Sequence, residues 1–146
     1  MSRAANFLPT IQALVKCYQA FESFSAAHIR ELGLTPSQFD IIATLGNTAG
    51  MTATELGDKT LITKGTLTGV VDRLADRGWL ERVAHESDRR SQIIRLTPAG
   101  EKLFGQVFPA HLAHLRTGFG KVNAADHTRW QTALRELEQV LRKESA

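Results

Sequence analysis

Apolar positions recur at helical spacing over most of this chain. From about Phe7 to Leu32, the residues Leu8, Ile11, Val15, Tyr18, Glu22, Ser25, Ile29 and Leu32 follow a three/four step, and Phe7, Leu14 and Phe21 widen the stripe. The stripe is broad for one exposed helix, so its N-terminal half is expected to face a second chain as well as its own core. Gly33 suits a left-handed helix end. Thr35-Pro36-Ser37-Gln38 is a helix start, with Thr at the cap, Pro at the first helical position and Gln three residues after the cap. This second helix carries Phe39, Ile41, Ile42 and Leu45 and ends near Gly46-Asn47. Gly50 and Met51 read as a connector. Thr52 with Glu55 forms a second capping box before a short helix that holds Leu56 and ends near Lys59 or Thr60.

After a brief turn through Leu61 and Ile62, another helix starts at about Thr63 and buries Leu67, Val70, Val71 and Leu74. Gly78 ends it, with Trp79 as the apolar residue after the cap. A short helix, a turn and a longer helix make the helix-turn-helix order. The period then changes. Leu80-Glu81-Arg82-Val83 alternates, 91–96 is a β-branched run, and the polar stretch 84–90 lies between them, which is the pattern of a β-hairpin with a charged tip. Thr97-Pro98 restarts a helix lined by Leu103, Val107, Leu112 and Leu115. Pro109 inside it is expected to kink or split it, and Gly118 and Gly120 to end it. Asn123 with Asp126 opens the last helix, whose apolar face is Trp130, Ala133, Leu134, Leu137, Val140 and Leu141. There is no internal repeat.

Composition narrows the reading without deciding it. At 146 residues and 42% hydrophobic content the chain is expected to be one domain with a real core, and 23% charged residues argue against wholesale disorder. A net charge of +3 permits nucleic-acid binding. A single cysteine, Cys17, excludes an internal disulfide framework and a multi-cysteine metal site. No apolar stretch approaches the roughly 20 residues that span a bilayer, and the first 21 residues are too polar for a signal peptide. The expectation is a soluble, cytoplasmic protein with no membrane partner.

The order helix, turn, helix, hairpin is that of a winged helix-turn-helix. Residues 67–82, Leu-Thr-Gly-Val-Val-Asp-Arg-Leu-Ala-Asp-Arg-Gly-Trp-Leu-Glu-Arg, resemble the recognition helix of MarR-family bacterial transcription regulators. Residues 87–100 resemble that family's wing, with its Asp-x-Arg tip and closing Leu-Thr-x-x-Gly, at matching spacing. The resemblance implies a mainly α fold with a small β-hairpin wing. It is read as a single domain over 1–146, with a DNA-binding lobe at 34–100 and dimerisation helices at 1–33 and 101–146. The implied function is sequence-specific binding of double-stranded DNA at a pseudo-palindromic operator, by a homodimeric repressor released by a small aromatic or anionic effector.

The residue types fit that function on physical grounds. An α-helix enters the major groove, where each base pair shows a distinct donor and acceptor pattern. The exposed start of the recognition helix carries Thr63, Lys64, Gly65, Thr66, Thr68 and Gly69, and Arg73 lies on the same side as Thr66 and Gly69. Glycine in a helix interior costs about 1 kcal/mol relative to Ala. Gly65 and Gly69 therefore either let the backbone approach bases or serve the protein's own first turn and packing. Arg77 is solvated or pairs with Asp76. Asp72, which DNA would repel, is expected to hold a basic side chain, with the hairpin tip offering partners. By resemblance Arg90 enters the minor groove, Asp88 orients it, and Arg89 and Arg95 contact phosphates. The alternative for a charged tip is solubility and edge protection alone.

Phe7, Leu8, Ile11, Phe119, Trp130, Leu134 and Leu137 are the candidate dimer contacts. Tyr18, His28 and Phe39 are the candidate effector pocket, with His111 and His114 as further members. His111 and His114 are one helical turn apart, but no third ligand accompanies them and no metal or cofactor is expected. Cys17 is expected to be buried and inert, the rival being a thiol-based redox sensor. A winged-helix interaction module that does not bind DNA is the other alternative, opposed by Lys64, Arg73, Arg89 and Arg90. With no Gly-rich phosphate loop, GxSxG elbow or HExxH, the chain is not expected to be an enzyme.

Overall fold

The computed structural model describes residues 6–85, 87 and 91–145. Six helices and three strands follow in order: α1 (Leu8–Glu31), α2 (Pro36–Leu45), β1 (Met51–Thr52), α3 (Ala53–Lys59), α4 (Lys64–Asp76), β2 (Leu80–Ala84), β3 (Gln92–Leu96), α5 (Pro98–Phe119) and α6 (Ala124–Ser145). The fold is mainly helical, with a small antiparallel sheet as its wing.

The expected caps form. Thr35 Oγ1 accepts the Gln38 N–H at 3.2 Å while Gln38 Oε1 accepts the Thr35 N–H at 3.0 Å. Thr52 and Glu55 repeat this exchange at 3.2 and 3.4 Å. Two boxes within twenty residues satisfy amide donors that the helix itself cannot. At the C-terminal ends, Gly33 and Gly78 take φ of 85° and 81°, so α1 and α4 can turn sharply without a Cβ penalty.

Two expectations need correction. Met51, read with Gly50 as a connector, instead forms strand β1 with Thr52, Met51 lying opposite Ile94 and Thr52 opposite Ile93. The wing sheet therefore has three strands in the order β1-β3-β2, not the two of a simple hairpin. Two residues are too few to show a period-2 signal. Second, of the kink or split expected at Pro109, the split does not occur, since α5 runs unbroken from Pro98 to Phe119. Proline removes the bond to the carbonyl of residue 105 and crowds it. That residue is Gly105, and both positions lie on the exposed side of the helix.

The chain forms two compact units, Met1–His111 and Leu112–Ala146. The core lies in the first. Ile41, Ile42 and Leu45 of α2, Leu56 of α3, and Leu67, Val70, Val71 and Leu74 of α4 pack with Leu80, Ile94 and Leu96 of the sheet, Ile29 of α1 and Val107 of α5. In the second unit, Asn123 Oδ1 accepts the Asp126 N–H at 2.8 Å, which caps α6, and the Phe119 carbonyl lies 2.9 Å from His127 Nε2. α6 has no buried residue.

The junction of sheet and α5 depends on Gly100. A methyl group there would overlap the Trp79 carbonyl and crowd Leu96. That carbonyl accepts the Thr97 N–H at 3.1 Å and cannot move aside without loss. Gly100→Ala is expected to lose about 2–3 kcal/mol of stability by overpacking, measured by urea denaturation. A loss below about 0.5 kcal/mol, the scale of a neutral surface change, would show that the junction is not tightly packed.

Candidate nucleic-acid interface

α4 is two-sided. Leu67, Val70, Val71 and Leu74 are all at most 4% exposed. The opposite side, with Lys64, Gly65, Thr66, Thr68, Asp72 and Arg73, is exposed, and Gly69 is half-buried. The sequence-expected reading face is thus brought together on one surface. Its N-cap, Thr63, does not cap with its side chain but donates to the Thr66 hydroxyl at 3.2 Å. The first amides of α4 therefore have no side-chain cap, and Lys64 stands beside them. A helix start with free donors and a cation favours an anion such as a DNA phosphate.

The two glycines of this face are not required by the protein's own packing. A Cβ at Gly65 or at Gly69 would meet nothing within 4 Å. Relief of an internal clash is thereby removed as the reason for Gly69. The helix surface at both positions is left without side-chain bulk.

Asp72 does hold a basic side chain, but not one from the hairpin tip. Its carboxylate accepts from the Arg82 guanidinium of β2 at 2.5 Å. The link ties α4 to the first wing strand and neutralises the Asp72 carboxylate on the exposed side of the helix. Arg82 was missed because the pairing depends on β2 folding back along α4. Arg95 lies opposite Glu81 across the β2–β3 ladder and donates to it at 2.7 Å. With five donors, a guanidinium in one such pair retains others for a phosphate. Asp88, Arg89 and Arg90 lie outside the described residues. Beside the wing, Thr52, Ala53, Thr54, Arg82, Ser91, Gln92 and Ile94 line an open cleft of about 390 Å³.

The segment that carries this arrangement also matches a known family in sequence. Residues 32–91 match the model of the MarR family. The HTH-type regulator MhqR of Bacillus subtilis is 31% identical over 102 residues, 70% of each chain. The chain belongs to the MarR family. It is a DNA-binding transcriptional regulator and not an enzyme. Among solved structures, BpsR of Bordetella bronchiseptica, whose DNA binding is regulated by 6-hydroxynicotinic acid, is 25% identical with a TM-score of 0.79, over 91% of this chain and 95% of that one. Sco3205 of Streptomyces coelicolor, a MarR-family regulator solved in complex with DNA, shares the fold at a TM-score of 0.82 and 21% identity, over 94% of this chain and 92% of its own. No helix among the described residues of this MarR-family chain is long and apolar enough to cross a membrane.

The expected effector residues divide. His28 and Phe39 both meet His111, with His28 Nδ1 3.0 Å from His111 Nδ1 and the Phe39 ring edge-on at a centroid distance of 4.6 Å. Ser25 Oγ lies 3.0 Å from His111 Nε2. His111, only 3% exposed, is the hub of this polar cluster. Tyr18 is ten residues before His28, about 15 Å along a helix, and is exposed. Among the described residues no group of three or more His, Cys, Asp or Glu could hold a metal ion. Cys17 is exposed, contrary to the expected burial, because it stands on a stretch of α1 that the chain's own core does not cover.

Both members of the Asp72–Arg82 pair are partly exposed, at 55% and 31% of their side chains, so the pair contributes little stability. A double-mutant cycle of Asp72→Asn and Arg82→Gln is expected to give a coupling under about 1 kcal/mol by thermal denaturation. A coupling of several kcal/mol would mean that the pair is a structural keystone and not a local tie.

Proposed function

We propose that this regulator binds a pseudo-palindromic operator as a homodimer, acts as a repressor by occupying promoter DNA, and is released by a small aromatic anion. The observation that carries the dimer is the uncovered apolar surface at both ends of the chain. On α1, Leu8, Ile11, Leu14, Val15, Tyr18 and Phe21 are 39–53% exposed. On α6, Trp130, Leu134, Val140 and Leu141 are 42–60% exposed. Contiguous apolar faces of this kind mark interaction surfaces, whereas scattered ones do not. Two copies related by a two-fold axis would place two α4 helices in successive major grooves about one DNA turn apart. Thr63, Lys64, Gly65, Thr66, Thr68, Gly69 and Arg73 would lie in that groove. Arg90, steadied by Asp88, would enter the adjacent minor groove, where a narrow groove strengthens the attraction for a guanidinium. Arg89 and Arg95 would contact phosphates. Action on chromosomal DNA places the protein in the cytoplasm.

The effector reading rests on the cluster of Ser25, His28, Phe39 and His111, which combines an aromatic wall with imidazole and hydroxyl groups able to hold a carboxylate. Regulation of BpsR by an aromatic acid supports that chemistry.

The DNA and dimer readings are separated by two variants. Arg90→Ala should weaken binding to duplex from the regulator's own promoter by at least about tenfold, the scale of one good groove contact, while sedimentation still shows a dimer. Leu134→Glu should sediment as a monomer and lose duplex binding. A dimeric Leu134→Glu protein, or an Arg90→Ala protein with wild-type affinity, would overturn the corresponding assignment.

The effector reading is tested by thermal shift with 6-hydroxynicotinic and benzoic acids. At least one should raise the melting temperature of the wild type, and His28→Ala should abolish the shift. An equal shift in His28→Ala would place the ligand elsewhere.

A further inference from the structure

The turn between α3 and α4 displays one side chain that the functions above do not use. Leu61 is 84% exposed, the highest value among the exposed large hydrophobics of the described residues. The others all belong to α1, α5 and α6 or, as Phe7, to the residue that caps α1. A single exposed leucine is by itself ordinary. This one is presented by a turn anchored on both sides. Thr60 is buried at 7% exposure, and both its N–H and its hydroxyl donate to the Leu56 carbonyl, at 3.0 and 2.9 Å. Ile62 packs against the core. The N–H of Leu61 itself donates to Asp40 Oδ2 of α2 at 3.0 Å, across 21 residues of sequence.

The turn is therefore held at 60, 61 and 62, with only the Leu61 side chain outward, two residues before the N-cap of the recognition helix. The exposed positions that follow it along the chain are Thr63, Lys64, Gly65 and Thr66. The N-terminal end of a recognition helix is the part that meets base edges. The apolar feature a base edge offers in the major groove is the thymine 5-methyl group.

We propose that Leu61 is a specificity-determining residue that packs on a thymine 5-methyl group, and that Asp40 is its positioning residue. The inference rests on α4 being the DNA-reading helix. Asp40 acts only through the Leu61 backbone, which its carboxylate fixes.

The test uses duplexes enriched by the wild-type protein from a randomised library, with each thymidine replaced in turn by deoxyuridine. The replacement removes the methyl group and leaves pairing and phosphates unchanged. For the wild type, one position per half-site should weaken binding about three- to fivefold, the scale of one buried methyl group. Leu61→Ala should bind the thymidine duplex more weakly by a similar factor and show no further loss with deoxyuridine at that position. Asp40→Asn keeps an acceptor oxygen and should retain the discrimination, whereas Asp40→Ala should lose it. Identical deoxyuridine profiles for wild type and Leu61→Ala would overturn the assignment, as would a contact with the sugar-phosphate backbone alone, seen as a uniform loss across all duplexes. Failure of the wild type to enrich any sequence would instead remove the DNA-reading role of α4.

Discussion

Leu67, Val70, Val71 and Leu74 bind α4 to the core, and the side chains exposed on the same helix are held where that packing puts them. Each buried side chain of this size contributes about 1.5–3 kcal/mol, so the helix cannot rotate or slide without large loss. A rigid reader of DNA needs that property, because its contacts depend on a fixed offset between groove and backbone. The wing is placed by the same packing. Leu80, Ile94 and Leu96 enter the core that holds α4. The chain leaves α4 through Gly78, and the Trp79 N–H closes on the Leu74 carbonyl at 3.1 Å. Reader and wing are two projections of one packed body, and the Asp72–Arg82 pair adds a surface tie between elements that the core has already aligned.

The glycines show how an internal constraint can be told from an external one. At Gly46 an added Cβ would overlap the Phe104 ring, and at Gly100 the Trp79 carbonyl. Those positions are occupied by glycine because the protein's own atoms leave no room. At Gly65, in the first turn of α4, and at Gly69, in its interior where glycine is disfavoured, the space is open. At these two positions the protein's own packing gives no reason for glycine.

What could be read in the sequence was what is decided locally. The capping boxes at Thr35 and Thr52, the left-handed glycines at 33 and 78, and the apolar row of α4 each depend on residues within one or two turns. The helix order and the exposed polar side of α4 followed from them. What escaped depends on partners distant in sequence. Strand β1 exists because Ile93 and Ile94 lie beside Met51 and Thr52. Arg82 as the partner of Asp72, His111 as the centre linking Ser25, His28 and Phe39, and Asp40 as the anchor of the Leu61 turn all require the tertiary fold. Cys17 failed in the opposite direction. A broad apolar stripe suggests burial, but the stripe alone does not say whether the cover comes from the same chain.

α6 carries that last point furthest. Its apolar residues recur at helical spacing, yet none of its residues is buried. A helix in water gains most of its stability from packing an amphipathic face and little from propensity. Left uncovered, such a helix holds an apolar stripe in water and gains little from its Asn123 cap and from ion pairs such as Arg142 with Glu138, one turn apart at 2.7 Å, which contribute a few tenths of a kcal/mol each. Covering that face would supply the missing term. In a homodimer the order of α6 and the association of two chains are then one equilibrium, so stability depends on protein concentration. The spacing of the two reading helices would be set by the same contacts that keep α6 folded.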